Sequence, residues 1–472
     1  MRWIGNFVLG VSVVMLAGSF ARAQHEYLAD VGNHTPSQTQ QAQTQAASTL
    51  DAEMEALRNR LDKLEAQADA ESEESGWKNV SGETWKSKFG GRIMGDYVMW
   101  ANQDTGYLDR FGDFQNYMEF RRIRMFLSGE GYGVYIYKLQ FDFEPEGLRG
   151  VPDSAVSMKD VYVGMKDVPY LGTVYLGHKK APLSMEELTS SKYITFMERA
   201  LPNVFAPGRH VGLTSVNTTP GEAIGWGSGI YFEDIDAVDH ERVADAQGLQ
   251  LVSRLWGTPY YCEGGRHLFH WGVAGAWTND ADHVVGWRAR PEIHEGDPNS
   301  GRTIDSGGFL SEEHYTTQCE AALVWGPASL QGEFFYNSAD TVNGDLDFYG
   351  AYAQASWFLT GENRSYQRDS GAFGRVKPFT NFWVVPGSDG VDVGWGGWEL
   401  AARWSYLDLT SGAGANAGQQ NDMTFGVNWY WNPHTRFMFN WIHPFNDYNV
   451  ASTGGVTDGS GDILACRLQV DF

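Results

Sequence analysis

The final ten residues decide the fold, and they read Ile463-Leu464-Ala465-Cys466-Arg467-Leu468-Gln469-Val470-Asp471-Phe472. Alternate side chains of a strand point to opposite faces. One face would carry Leu464, Cys466, Leu468, Val470 and Phe472, and the other Ala465, Arg467, Gln469 and Asp471. One side of the sheet therefore meets an apolar medium, whereas the other meets water. We interpret this stretch, with its terminal phenylalanine, as the closing strand of a bacterial outer-membrane β-barrel.

The same alternation recurs upstream. Residues 135–144 place five apolar side chains on one face, and residues 119–128 place Ile123 and Met125 opposite Arg122 and Arg124. About sixteen such segments follow one another, an even number, as a closed single-chain barrel requires. Closure also pairs every backbone N–H and C=O in hydrocarbon. The sequence thus predicts an all-β fold, a transmembrane antiparallel β-barrel of about sixteen strands over residues 85–472.

A soluble β-sandwich or propeller is the alternative architecture. It would explain the alternation, but not the lipid-facing aromatic residues expected at strand ends, such as Trp429, Trp431 and Trp441. Aromatic residues make up 14% of the chain, and 56 glycines accompany only 16 prolines. The composition therefore favours one large membrane barrel over several soluble domains.

The region before the barrel divides into three segments. Residues 1–23 have an apolar run and a small-residue cleavage pattern, which predicts a secretory signal peptide. Residues 24–49 form a polar, glutamine-rich linker. Residues 50–75 carry apolar residues at spacings of 4, 3, 4 and 3, which predicts a short periplasmic coiled-coil helix, with a solvated amphipathic helix as the alternative. Two or so heptads need partners or tethering to be stable.

The chain offers little for catalysis or cofactor binding. Its three cysteines lie far apart, so neither a disulfide framework nor a metal cluster is expected. His267 and His270 lie close together in sequence, but no acidic residue is placed to complete a metal site. The net charge of −24 falls largely in predicted loops and the N-terminal region, and there is no basic patch for nucleic acid. We expect a protein that is not an enzyme and has no metal or cofactor.

Cationic residues are the best candidates for function. An anion crossing a low-dielectric pore needs a line of cations, and the planar fork of arginine suits oxyanions. The anion-pathway candidates are Arg121, Arg122, Arg124, Arg288, Arg290, Arg375 and Lys377. The constriction-loop candidates are Lys192, Arg199 and Arg209, in or beside a long loop at 183–208. For this second group, pairing with Glu186, Glu187 and Glu198 is the competing interpretation.

Connections should alternate between short periplasmic turns and long outer loops. Long loops are predicted at 183–208, 278–314 and 444–461, and the second of these could fold inward. One connection breaks the rule, because residues 361–397 lie on the side where parity predicts short turns. A long connection where geometry requires none is a functional candidate.

Longer motifs occur in order along the chain. They are Lys192-Tyr193-Ile194-Thr195-Phe196-Met197-Glu198-Arg199 with Phe205-Ala206-Pro207-Gly208-Arg209; Trp357-Phe358-Leu359-Thr360-Gly361-Glu362 with Gly374-Arg375-Val376-Lys377-Pro378; Trp398-Glu399-Leu400-Ala401-Ala402-Arg403-Trp404-Ser405-Tyr406; and Arg467-Leu468-Gln469-Val470-Asp471-Phe472. In this combination the chain resembles the phosphate-selective porin O and P family over about residues 85–472.

The resemblance implies a sixteen-stranded barrel, usually a homotrimer, with an inward-folded loop that narrows each pore. It also implies an arginine ladder, in which Arg121 and Arg122 match ladder positions, and a lysine cluster in members that prefer phosphate. Of the lysines, only Lys377 fits a motif, and this departure leaves phosphate preference open.

The resulting hypothesis is a passive porin in the bacterial outer membrane, in contact with lipid, that conducts small anions such as phosphate or polyphosphate. The alternative is a weakly selective or structural barrel that residues 24–75 anchor to a periplasmic layer such as the cell wall.

Overall fold

A computed structural model describes residues 82, 84–144, 156–232, 248–280, 284–294, 301–387 and 390–472. Sixteen antiparallel strands in this part close into one barrel, which confirms the predicted fold class. The strands are β1 (Trp85–Gln103), β2 (Tyr117–Gly131), β3 (Tyr135–Asp142), β4 (Ser157–Val168), β5 (Gly172–Lys180), β6 (Arg209–Thr218), β7 (Ile224–Phe232), β8 (Leu249–Cys262), β9 (His267–Asn279), β10 (Glu313–Trp325), β11 (Ala328–Asp340), β12 (Leu346–Phe358), β13 (Gly397–Asp408), β14 (Gly418–Asn432), β15 (Thr435–Tyr448) and β16 (Asp458–Asp471).

The closing strand behaves as its alternation predicts. β16 pairs with β1 in a register that sets Arg467 opposite Asp96, and Phe472 exchanges backbone hydrogen bonds with Gly91. Arg467 is buried inside the barrel, whereas Leu468 and Val470 are exposed on its outer face. The outer face thus presents apolar side chains to lipid, the arrangement of a membrane barrel.

The two ends of the barrel differ. At the end that holds Trp85 and Phe472, turns are short, for example between β2 and β3 and between β14 and β15. By the rule that short turns face the periplasm, this is the periplasmic end. The predicted outer loop at 444–461 is shorter than expected, because β15 continues to Tyr448 and β16 begins at Asp458.

Parts of several long connections enter the barrel, and two of these connections are important for the site. We call residues 181–208, between β5 and β6, the constriction segment; it contains helix α2 (Met185–Leu188) and a 3-10 helix (Leu201–Phe205). An earlier helix, α1 (Thr105–Phe111), lies in the β1–β2 loop. We call residues 359–396, between β12 and β13, the periplasmic connection. It has two small hairpins, Tyr366–Gln367 with Ala372–Phe373 and Trp383–Gly387 with Gly390–Gly394.

The core lies inside the barrel. Leu183 and Phe205 of the constriction segment pack with Trp287 of the β9–β10 loop against the inner wall formed by β7 to β13. Met185 and Phe373 form a second cluster against β9 and β10. A third cluster packs Met197 and Ile293 against the inner faces of β1, β15 and β16. Open space remains beside other inward residues of β1 to β6. Among the described residues, no helix has the length and hydropathy of a transmembrane span.

The predicted signal peptide (1–23), linker (24–49) and helix (50–75) lie outside the described residues, so these three assignments stay predictions.

Candidate permeation pathway

The constriction segment is held across the lumen by carboxylates of the far wall. Ser184 caps α2 and donates a hydrogen bond to Glu333 (2.6 Å), which also accepts the backbone N–H of Glu186 (2.7 Å). Glu320 accepts the N–H of Met185 (2.8 Å). All these groups are buried, where an unpaired polar group is costly. The segment is thereby fixed to β10 and β11, and one of its faces is turned toward β1 to β6.

A cavity of about 820 Å³ remains between that face and the inner wall of β1 to β6. The cations that line it are Lys88, Arg92, Arg121, Arg122, Arg124, Lys138, Lys159, Lys180, Lys192, Arg199, Arg209, Arg288, Arg290 and Arg302. The only carboxylates on its described lining are Asp160, Glu198 and Glu292. Although the whole chain is strongly acidic, its internal cavity is therefore strongly basic.

A β-bulge places adjacent arginines in the lumen. In the β1–β2 ladder, Met94 pairs with Arg122 and Gly95 with Phe120, which leaves Arg121 as the additional residue. The bulge shifts the alternation by one position, so Arg121 and Arg122 both point inward while Phe120 faces outward at 56% exposure. Arg124 follows on the same inner face. The sequence predicted the inward orientation of Arg122 and Arg124 from alternation, but alternation alone sets Arg121 on the opposite face.

Glu198 of the constriction segment lies among these arginines. It accepts hydrogen bonds from Arg121 Nε (2.8 Å) and Arg467 Nη2 (2.7 Å), and it lies 3.8 Å from Arg122 Nη1. Burial by itself would raise the pKa of Glu198, but the surrounding arginines outweigh burial and hold this pKa well below its usual range. The surrounding arginines therefore favour the ionised form of Glu198 on the lining of the cavity.

Two of the lining arginines keep unsatisfied hydrogen-bonding capacity. The Nε atoms of Arg92 and Arg122 are buried and have no hydrogen-bond partner within the described part of the chain. Arg122 Nη1 reaches only Met94 Sδ at 3.9 Å besides Glu198, whereas Arg92 Nη1 donates to Ser191 Oγ (2.9 Å). These two arginines therefore line the cavity with part of their hydrogen-bonding capacity unused by the described residues.

The other cavity-lining candidates have partners from distant parts of the chain. Arg124 pairs with Asp142 (2.5 Å), and Arg209, the first residue of β6, pairs with Asp160 (2.6 Å). Arg288 and Arg290 come from the β9–β10 loop, which does fold toward the cavity.

The expected pairing of the constriction-loop candidates holds only for Arg199, which pairs with Glu187 (3.2 Å). Lys192 instead reaches Asp471 (3.2 Å). The interpretation that assigned sequence-local carboxylates to Lys192 and Arg209 was wrong. Lys192 reaches Asp471 because the constriction segment crosses the lumen, and Arg209 of β6 pairs with Asp160 of β4. Burial would raise the pKa of Glu187, but Arg199 and Lys180 outweigh it and lower the pKa to about 2.

Two predicted anion-pathway residues do not line this cavity. Arg375 lies near the periplasmic rim, where it donates to Asp471 Oδ1 (3.1 Å) and to the carbonyl of Pro433. Lys377 is exposed on the periplasmic connection. Both were placed from motif position and loop length, which do not indicate the direction in which a loop side chain points.

Several lining residues were missed by sequence analysis. Arg92 of β1 and Lys138 of β3 line the cavity but were not among the predicted site residues. Lys159 and Lys180 lie on neighbouring strands, and Ser190 and Ser191 belong to the constriction segment. The alternation in β1, β3 and β5 indicates that their cations point inward. Only the order of the strands in the barrel shows that these cations share one wall.

The described ranges contain no group of three His, Cys, Asp or Glu residues suited to a metal. His270 is fully buried and contacts Glu320 Oε1 (3.1 Å) and the Tyr366 hydroxyl (2.6 Å). Glu320 also receives Arg254 (2.5 Å), so this cluster joins the far wall to the periplasmic connection.

Comparison with known proteins agrees with this architecture. The sequence profile of the family described as phosphate-selective porin O and P matches residues 88–472. An uncharacterised protein of Caulobacter vibrioides is 29% identical over 364 residues, which cover 75% of this chain and 68% of that protein. Porin O of Pseudomonas aeruginosa is 24% identical over 421 residues, covering 82% and 88% of the two chains.

A solved anion-selective porin from Comamonas acidovorans superposes with a TM-score of 0.50 at 13% identity, covering 82% of this chain and all of that one. At this identity the match supports the barrel fold alone.

Proposed function

The chain belongs to the phosphate-selective porin O and P family and is an outer-membrane channel, and on that premise we propose that it conducts small anions through the basic cavity beside the constriction segment. The basic lining of this cavity, which includes the guanidinium groups of Arg92 and Arg122, carries this proposal. Cations along the cavity would replace part of the water that a permeating anion loses, which lowers the desolvation cost of the passage.

The geometry supports stepwise transfer of an anion along the wall. Lys88, Arg92, Arg122, Lys138 and Arg209 all belong to the wall of β1 to β6 and line the cavity, so an anion that leaves one cation would meet others on the same wall. Glu198 prevents the site from being purely cationic. It weakens the binding of each anion. Conduction requires binding that is favourable enough for an anion to enter but weak enough for it to leave.

Phosphate is the permeant that the resemblance implies, and we propose that this pore accepts it. Arginine forks and serine hydroxyls suit a tetrahedral oxyanion, and the cavity combines Arg92 with Ser191 in this way. Five lysines also line the cavity: Lys88, Lys138, Lys159, Lys180 and Lys192. None of these five residues is Lys377, the one lysine that fits a motif of the family.

The test is reconstitution in a planar bilayer under a KCl gradient. We expect a reversal potential close to the chloride equilibrium potential, and a chloride current that inorganic phosphate inhibits at concentrations where sulfate inhibits less. A cation-selective reversal potential would contradict anion conduction. Equal inhibition by both oxyanions would leave an anion pore but contradict preference for phosphate.

We also propose, from the family resemblance, that the channel assembles as a homotrimer. Native mass spectrometry in a mild detergent should give three copies per particle, and a monomer under conditions that preserve the folded barrel would contradict this assembly.

A further inference from the structure

The second hairpin of the periplasmic connection carries an apolar surface that the barrel does not cover. Its strands are Trp383–Gly387 and Gly390–Gly394, paired in antiparallel register. Val384 and Val393 face each other across the strands, and their exposed fractions are 53% and 74%. Val391 and Trp395 continue this face at 63% and 77%. Water does not favour such a cluster, so the hairpin needs a partner.

The base of the hairpin is attached to the lipid-facing surface of the barrel. Phe382 packs on Trp429 with ring centroids 4.4 Å apart, and its backbone N–H donates to the carbonyl of Trp431 (2.6 Å). Trp429 Nε1 donates to the carbonyl of Trp395 (2.7 Å) and stacks on Trp398 (4.9 Å). Both ends of the hairpin are therefore fixed on the outer side of the periplasmic rim.

This attachment makes the hairpin continuous with the lipid interface. Trp429 shares the outer face of β14 with Phe425, and Trp398 shares the outer face of β13 with Leu400, so the lipid-contacting surface leads directly to the hairpin. Tryptophan is concentrated at the level of lipid headgroups, where its ring contacts acyl chains and its N–H finds an acceptor.

We propose that the hairpin is a membrane-contacting element that lies in the headgroup region of the inner leaflet of the outer membrane, with Val384, Val391, Val393 and Trp395 against lipid. Residues 379–398 contain no lysine or arginine and two aspartates. Attraction to anionic headgroups therefore contributes nothing, and the partner that fits is an uncharged or zwitterionic lipid surface. This proposal rests on the barrel and its membrane, not on the permeant.

The contact would also restrain the interior. Earlier in the same connection, the Phe373 N–H donates to Thr189 Oγ1 of the constriction segment (3.2 Å), and Arg254 binds the carbonyls of Ser370 and Gly371. The periplasmic connection thus runs from the constriction to the membrane surface, and the hairpin is its outer end.

Site-specific fluorescence tests the proposal in the full chain. Cys262, Cys319 and Cys466 are replaced by alanine, Val391→Cys is introduced and labelled with an environment-sensitive fluorophore, and the protein is reconstituted into zwitterionic vesicles. Two other labelled variants serve as controls, one for contact with lipid and one for contact with water. Phe425→Cys lies on the lipid-facing wall, and Val342→Cys lies in an outer turn at 80% exposure. Folded barrel is verified for each variant by its heat-dependent gel mobility.

We expect brominated lipids to quench the Val391 label at least half as strongly as the Phe425 label, and aqueous iodide to quench it at least twofold less than the Val342 label. Addition of anionic lipid should leave both values unchanged. Quenching by iodide with none by brominated lipid would overturn the proposal, since the hairpin would then lie in water. Protection from both quenchers with a disulfide between two copies of the V391C chain would also overturn it, in favour of a contact between copies.

Discussion

Arg467 of the closing strand donates two hydrogen bonds to Asp96 of the opening strand, from Nε to Oδ1 (2.7 Å) and from Nη2 to Oδ2 (2.6 Å). The two residues are direct cross-strand partners and both are buried. This bidentate pair spans the junction at which the barrel closes, and Arg467 continues from it to Glu198 of the constriction segment. The side chain of Arg467 therefore contributes both to closing the barrel wall and to positioning the constriction segment.

Asp96→Asn should destabilise the barrel by about 3 kcal/mol, because removing one partner leaves a buried charge without full compensation. The free energy of unfolding, measured by urea titration in detergent, checks this value. Glu130→Gln is the matched control, since its pair with Lys166 (2.7 Å) is partly exposed and should contribute less than about 1 kcal/mol. Equal effects of the two substitutions would contradict the role of Asp96 in closure.

Arg122→Ala should weaken inhibition of the chloride current by phosphate about tenfold, the effect of losing one charged hydrogen-bond donor. The apparent inhibition constant in planar bilayers measures it. Lys377→Ala serves as the control, because Lys377 also carries one positive charge but is exposed outside the cavity. A loss of inhibition in K377A that matches R122A would show that net charge, not position, governs binding.

Glu198→Gln should strengthen phosphate inhibition about tenfold, since it frees Arg121 and Arg122 from a competing carboxylate while keeping a hydrogen-bonding side chain. The reversal potential should also move closer to that of chloride. Glu263→Gln removes the same charge from an exposed periplasmic turn and should change neither quantity. Weaker inhibition in E198Q would mean that Glu198 chiefly holds the arginines in place.

Acid should reduce the stabilisation that Glu187 of the constriction segment provides, between about pH 4.5 and pH 2. The pKa of Glu187 is about 2 in the folded protein and near 4.5 when unperturbed. A lowered pKa contributes stability that is present above about pH 4.5 and is lost as the pH falls toward 2. The difference in unfolding free energy between wild type and Glu187→Gln should therefore shrink across that interval. Glu263→Gln should follow wild type at every pH, and a constant E187Q difference would contradict the ion pairs with Arg199 and Lys180.

The fold was readable from the sequence because its signal is local. Lipid outside and water inside impose a two-residue period on every strand, and β16 shows it directly in Leu468, Val470 and their polar neighbours. The same period correctly assigned Arg122, Arg124 and Arg467 to the interior. It could not assign Arg121, because a bulge in the β1–β2 ladder changes the phase of the alternation at that residue, and no local property of Tyr117–Gly131 marks the bulge.

The candidate site was only partly readable, because loops have no period. Arg375 and Lys377 looked equivalent to Arg288 and Arg290 as cations of long connections. The structure brings Arg288 and Arg290 to the cavity, whereas Arg375 is engaged by Asp471 and Lys377 is exposed. The predicted partner of Glu198 was wrong for a similar reason. Glu198 binds arginines of β2 and β16, not the basic residues near it in sequence.

The sequence by itself determined that the wall is a barrel, which face of each regular strand meets lipid, and that arginines enter the lumen. These three features follow from the alternation of side chains in a wall that meets lipid on one face and water on the other. Only the tertiary structure decided that the cations share one wall and that the constriction segment presents Glu198 to them. It also decided that Arg124 Nε is paired with Asp142, whereas Arg122 Nε has no hydrogen-bond partner among the described residues. Those relations join residues that are distant in the chain, and the path of the loops through the lumen establishes them.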